Sequence, residues 1–116
     1  MMQPDFTRVA IYVRPGPTDM RKQANGLAVL AEEQMGHNPL SGAVFLFCNR
    51  ERRILKALYW DATGFALWTK RLETERFPWP KDGEAARELS ARELELLLSG
   101  LDVWQAHRPL HYAAVS

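Results

Sequence analysis

The sequence predicts an α+β domain, an antiparallel β-meander of about four or five strands with two amphipathic helices packed on one face. Three observations predict it. Residues 43–48 form an unbroken apolar run, Ala43-Val44-Phe45-Leu46-Phe47-Cys48, too short for most helices and aromatic enough for a buried strand. Turn signals then recur at hairpin spacing, in residues 49–53 and again in residues 61–64. Two apolar stripes at helical spacing each need a surface to cover, and a sheet with one apolar face supplies it.

Taken in order, residues 8–13 alternate weakly and carry β-branched and aromatic side chains, so they read as a first strand. Arg14-Pro15-Gly16-Pro17 cannot continue a strand or a helix and makes a stiff turn. Thr18 or Asp19 then serves as an N-cap, and Met20, Ala24, Leu27, Ala28, Ala31 and Met35 fall on one helical stripe. That predicts a helix over 19–35, stopped by Gly36 and by Asn38-Pro39. The central strand 43–48 follows, then strands over 54–60 and 65–72, with Phe45 and Trp60 expected in the core. Residues 76–79 are a candidate further strand, confined to an edge by Pro78 and Pro80. Residues 81–88 read as a linker.

The last element has the clearest local signature. Ser90 and Glu93 have the spacing of a capping box, and Leu89 and Leu94 that of its hydrophobic staple. Leu94, Leu97, Leu98 and Leu101 form the buried stripe of a helix over 91–99, with Gly100 at its end. The domain is expected to run over 1–102, and residues 103–116, with His107, Pro109 and His111, to form a C-terminal tail.

A chain of 116 residues accommodates one domain with its own core. Lys and Arg number 15 against 14 Asp and Glu, for a net charge of +1, which excludes a polybasic tail or an acidic disordered segment. Any electrostatic function must therefore come from charge placement. Residues 42–80 hold 7 basic and 4 acidic side chains and are the basic part of the chain. The single cysteine, Cys48, cannot form an internal disulfide and reads as a small buried side chain. No apolar run approaches the length of a membrane span, and the N-terminus lacks the build of a secretory signal, so a cytoplasmic protein without membrane contact is expected.

In that middle segment Arg50, Arg52, Arg53, Lys56, Lys70, Arg71 and Arg76 alternate with Tyr59, Trp60, Trp68, Phe77 and Trp79. Phosphate-pairing cations among stacking faces suit single-stranded or distorted nucleic acid. A half-buried sheet produces a similar pattern with no ligand, aromatics inside and charges outside. Arg21 and Lys22 make a smaller basic site beside the first helix, where free amides can hold a phosphate, although Asp19 there is better explained as a cap. His107 and His111 have i, i+4 spacing, but Pro109 between them argues against the helix that metal binding would need. The acids are scattered, and no nucleophile with a base, Walker loop or glycine fingerprint is present. No metal, no cofactor and no catalytic residue are expected.

Five strings in order carry a resemblance. They are Gly16-Pro17-Thr18-Asp19-Met20-Arg21-Lys22; Ser41-Gly42 with Phe45 and Phe47; Lys56-Ala57-Leu58-Tyr59-Trp60-Asp61; Gly64-Phe65 with Leu67-Trp68 and Lys70-Arg71-Leu72; and Arg76-Phe77-Pro78-Trp79-Pro80. From about Val9 to Asp102 the chain resembles the TnpB accessory proteins of bacterial insertion-sequence family sixty-six, which are distinct from the RNA-guided nucleases of the same name. At Glu51-Arg52-Arg53 it departs from the glycine or aspartate turn more usual there. The resemblance implies a non-catalytic helper of transposition, with the transposase and other proteins of the same element as partners and DNA as a further candidate.

Three readings follow. In the first, the basic aromatic meander, with Arg21 and Lys22, contacts DNA. In the second, Trp68, Trp79 and Trp104 anchor a protein interface, as aromatic residues do at binding hot spots. The third, a nuclease, would require clustered carboxylates and a divalent metal.

Overall fold

A computed structural model describes residues 5–104. The elements are β1 (Ile11–Val13), α1 (Ala24–Glu33), β2 (Val44–Cys48), β3 (Ile54–Asp61), β4 (Gly64–Arg71), β5 (Arg87–Leu89) and α2 (Ala91–Leu98). One five-stranded sheet runs β4-β3-β2-β1-β5. Strands β2, β3 and β4 form the expected antiparallel meander, with Leu46 opposite Ala57 and Ala57 opposite Trp68.

The sheet is mixed, which corrects the expectation of a purely antiparallel one. β1 pairs with β2 in parallel, Tyr12 beside Phe45, because α1 lies between them and carries the chain back to the end where β1 began. A helix inserted between two strands reverses the chain once more than a hairpin does.

The placement of the helices is also corrected. Val44, Leu46 and Cys48 pack with Leu94, Leu97 and Leu98 of α2, whereas Phe45 and Phe47 pack with Leu27, Ala28 and Ala31 of α1. Successive side chains of a strand point to opposite faces, so the two helices cover opposite faces of the sheet. β2 is buried along its whole length for this reason, and its unbroken apolar run is what burial on both faces demands.

Two elements differ from expectation in kind. Residues 87–89, of which 87 and 88 were expected in a linker, form the edge strand β5 against β1, with Ile11 opposite Leu89. Residues 76–79, assigned to an edge strand, are irregular; Phe77 is fully buried and its amide donates to the Arg52 carbonyl at 2.7 Å. α1 begins at Ala24 and not at Asp19. The Met20 and Lys22 carbonyls accept instead from the Lys56 ammonium, which ties the preceding turn to the sheet.

α2 follows its signature except at Leu101, expected on the buried stripe but 56% exposed, because the helix ends at Leu98 and the chain turns away at Gly100. Ser90 Oγ accepts from the Glu93 amide at 3.1 Å, and Glu93 Oε1 accepts from the Ser90 amide at 2.9 Å. Leu89 and Leu94 share its core cluster. Val103 and Trp104, read as the start of a tail, are buried in that cluster, so the packed unit extends past Asp102. Phe45 is fully buried as expected, but Trp60 is half-buried near the β3–β4 turn, edge-on to Phe65. Among the described residues no helix is long and apolar enough to cross a membrane.

Candidate nucleic-acid interface

The topology brings the carboxyl ends of β1, β2 and β4 together with the amino ends of β3 and β5 at one end of the sheet. Three connections meet there, residues 14–23, 49–53 and 72–86. Chains leaving neighbouring parallel strands diverge, and the crevice outside those carboxyl ends is the usual place for a ligand in sheets of this kind.

The connections are tied to one another by hydrogen bonds between residues distant in sequence. The Arg14 amide donates to Leu46 O at 3.0 Å, the Gly16 amide to Pro80 O at 2.9 Å, and the Thr18 amide to Cys48 O at 2.8 Å. Trp79 Nε1 donates to Arg14 O at 2.9 Å, and Trp104 Nε1 to Pro78 O at 2.7 Å. Gly16, at φ +79°, sits so close to Asp82 that an added Cβ would lie 2.8 Å from the Asp82 Cβ. Only glycine fits that crossing.

The turn 49–53 has its own frame. Asn49 Oδ1 accepts from the Arg53 and Ile54 amides at 2.9 and 3.1 Å, and its Nδ2 donates to Glu51. Arg52 occupies φ +62°, a left-handed conformation that costs an arginine about 1 kcal/mol or more and that glycine adopts freely. Arg52 is exposed there.

The cations proposed from sequence separate into distinct groups. Arg50, Arg52, Arg76 and Lys22 are exposed at this end, with no ion pair among the described residues. Arg71, also exposed, lies 3.6 Å from Glu73, and Arg53 donates to the Glu73 carbonyl at 2.8 Å. Lys70 is half-buried opposite Leu55. Arg21 pairs with Asp19 at 2.8 Å, and that hydrogen bond holds the Asp19 carboxyl down at about 2.

Lys56 leaves the group altogether. It is 8% exposed on the α1 face, its Nζ donating to Met20 O at 2.8 Å and to Lys22 O at 3.1 Å, so its charge serves the fold. Arg14, which sequence reasoning passed over, also has a structural role, bridging Pro17 O, Thr18 Oγ1 and Gln34.

The tryptophans separate in the same way. Trp104 is 7% exposed, with its indole nitrogen bonded inward, and offers no surface to a partner. Trp68 is half-buried on the outer strand β4, its Nε1 buried with no hydrogen-bond partner. Trp79, also half-buried, lines a groove at the basic end.

That groove holds about 320 Å³ between Gly16, Pro17, Asn49, Arg50, Arg52 and residues 79–82. A second hollow of about 410 Å³ adjoins it across Pro17, Asn49 and Arg50 and is bounded by Thr18, Asp19, Met20 and Glu51. Lys81 and Asp82 are walls that sequence reasoning did not single out; the available signal was a strand, a Pro-Gly-Pro turn and a helix, the pattern of a crossover unit.

The remaining candidates contribute no chemistry here. Among the described residues no group of three or more His, Cys, Asp or Glu is placed to hold a metal ion. Cys48 is buried, and burial pushes its thiol up to about 12, so it is not a reactive thiolate near neutrality. His37 stacks on Tyr12 at 3.8 Å, while His107 and His111 lie outside the described residues.

A family model described as IS66 Orf2 like protein matches residues 9–108. The chain is 39% identical over 101 residues to a Sinorhizobium fredii protein named "Uncharacterized protein y4hO", covering 87% of this chain and 88% of that one. It is 36% identical over 92 residues to "Uncharacterized protein y4jC" of the same species, covering 79% of each. No solved structure matches.

Proposed function

The chain belongs to the IS66 Orf2-like family of insertion-sequence accessory proteins, and from that premise we propose that it assists transposition by gripping DNA phosphates with the basic end of its sheet. It works beside the transposase in the cytoplasm and performs no bond-making or bond-breaking step of its own. The observation that carries this reading is the convergence of Arg50, Arg52, Arg76 and Lys22, free of ion pairs among the described residues, on the one end where three connections open crevices. A net charge of +1 over the whole chain is compatible with such a surface, because phosphate attraction is decided within about 10 Å at ordinary salt.

Binding to labelled element-end DNA across a salt series tests it. Each phosphate engaged contributes about 0.9 to the slope of log affinity against log salt. Charge reversal at both positions, Arg50→Glu with Arg52→Glu, should flatten that slope by about 2 and leave thermal stability unchanged, since both side chains are exposed. An unchanged slope excludes the 49–53 turn as a contact. DNA incubated with the protein and Mg²⁺ should remain intact.

One observation favours a separate place for the transposase. β4 is an outer strand of the sheet and carries the buried, unpartnered Trp68 indole nitrogen. An outer strand offers a row of backbone groups to an added strand. Association through it should resist salt and weaken on Thr69→Pro, whose amide points away from β3, with DNA affinity unaffected.

A further inference from the structure

Resting on that reading, we infer that the groove between the turns 16–18, 49–52 and 79–82 takes one unstacked base of a single-stranded nucleic acid, with the adjoining phosphates on Arg50 and Arg52. Its two sides differ chemically. On one side Arg50 and Arg52 are exposed and free of ion pairs among the described residues, as phosphate oxygens require. On the other stand the Trp79 ring and the Asp82 carboxylate, with the exposed Lys81 beside them.

Trp79 is suited to stacking. Its indole N–H is already committed to the Arg14 carbonyl at 2.9 Å, so the ring is locked in place and has only apolar surface left to offer. A locked ring loses little freedom when a base stacks on it, and stacking is open to every base because each has a π face. Asp82 would repel a phosphate but accepts readily from the exocyclic amine of a base, which assigns the base to its side of the groove and the backbone to the arginine side.

Size and shape point the same way. About 320 Å³ admits one base. A base paired and stacked in duplex DNA does not reach into a concave site of this kind without being extruded.

The test uses the full chain labelled with ¹⁵N, titrated at moderate salt with a short single-stranded DNA, the same sequence as a blunt duplex, and a single strand with its central bases replaced by abasic sites. The expected result is affinity for the single strand about tenfold above that for the duplex or the abasic strand. The Trp79 indole N–H resonance, assigned by its loss in Trp79→Phe, should move and the Trp104 one should stay. Trp79→Phe, which keeps a stacking face, should retain most of the preference, and Trp79→Ala should abolish it. The abasic strand keeps the result decisive should Trp79→Ala fold poorly, because it removes the stacking partner from the ligand side. Equal affinities with a stationary Trp79 resonance would overturn the base site and leave the phosphate grip standing. No binding to any of the three DNAs at low salt would overturn both.

Discussion

The two ends of the sheet are built on opposite principles. At the far end β3 turns into β4 through two residues, with Ala62 at φ +52°, the Thr63 amide bonded to Asp61 O, and Trp60 edge-on to Phe65 at 5.2 Å. α2 starts at the same end with a capping box between residues three apart. Every one of these bonds joins near neighbours in sequence. At the basic end the bonds run from Gly16 to Pro80, Thr18 to Cys48, Arg52 to Phe77 and Arg14 to Trp79. The β3–β4 turn and the start of α2 can close locally, with the Val44 amide bonded to Ala10 O as a longer tie at that end, whereas the basic end exists only once distant segments have met. Loop-borne function on a stiff scaffold is common, and here the loops are themselves cross-tied.

Substitutions at the two ends should therefore differ in cost. Gly16→Val should be the most damaging, by roughly 3 kcal/mol, combining a left-handed backbone with overlap against Asp82 Cα, which a Cβ would approach to 2.9 Å. Gly83→Val is the control, since Gly83 also has positive φ but nothing within 4 Å of its Cβ position, and it should lose only about 1–2 kcal/mol. Equal urea midpoints for the two would mean that the 16–82 crossing yields easily.

Lys56→Met comes next. It preserves the stem and strips the Met20 and Lys22 carbonyls of their donor, for an expected loss of about 2 kcal/mol by urea unfolding and weaker DNA retention through the loosened 20–23 turn. A variant as stable as the parent would show that burying the ammonium costs as much as its bonds return.

At the far end Ser90→Ala should cost about 1 kcal/mol, confined to the start of α2 and without effect on DNA affinity. A change in DNA affinity would break the separation of the two ends.

The smallest effect expected is at Asp19. Folding holds its carboxyl at about 2 against 3.8 for the free group, so its contribution is complete above pH 3.8 and disappears as pH falls towards 2. Asp19→Asn should flatten the acid limb of the urea midpoint over that interval and change nothing near neutrality.

Legibility in the sequence follows the same division. Ser90 and Glu93, Leu89 and Leu94, and the stop at Gly36 were readable because each is a relation between near neighbours, and all occur as expected. The meander was readable from its turn spacing. The residues 87–89 carry no strand signature; they pair because Ile11 offers an open edge and Leu89 an apolar side chain on the right face. Composition identified Lys56 as one basic residue among seven in its segment, and only the pleat of β3 turns it inward while the turn around it keeps Arg50 and Arg52 outside.

By itself the sequence determined the strand and helix segments of the middle and end of the chain, the aromatic core at Phe45 and the α2 cap, since propensity, periodicity and capping act over a few residues. Only the tertiary structure decided that α1 and α2 cover opposite faces, that β1 runs parallel to β2, and that Lys22 shares an end of the sheet with the arginines of a turn nearly thirty residues away. Those outcomes depend on which faces are left to cover and which chain ends coincide, relations between segments that have no counterpart in local pattern.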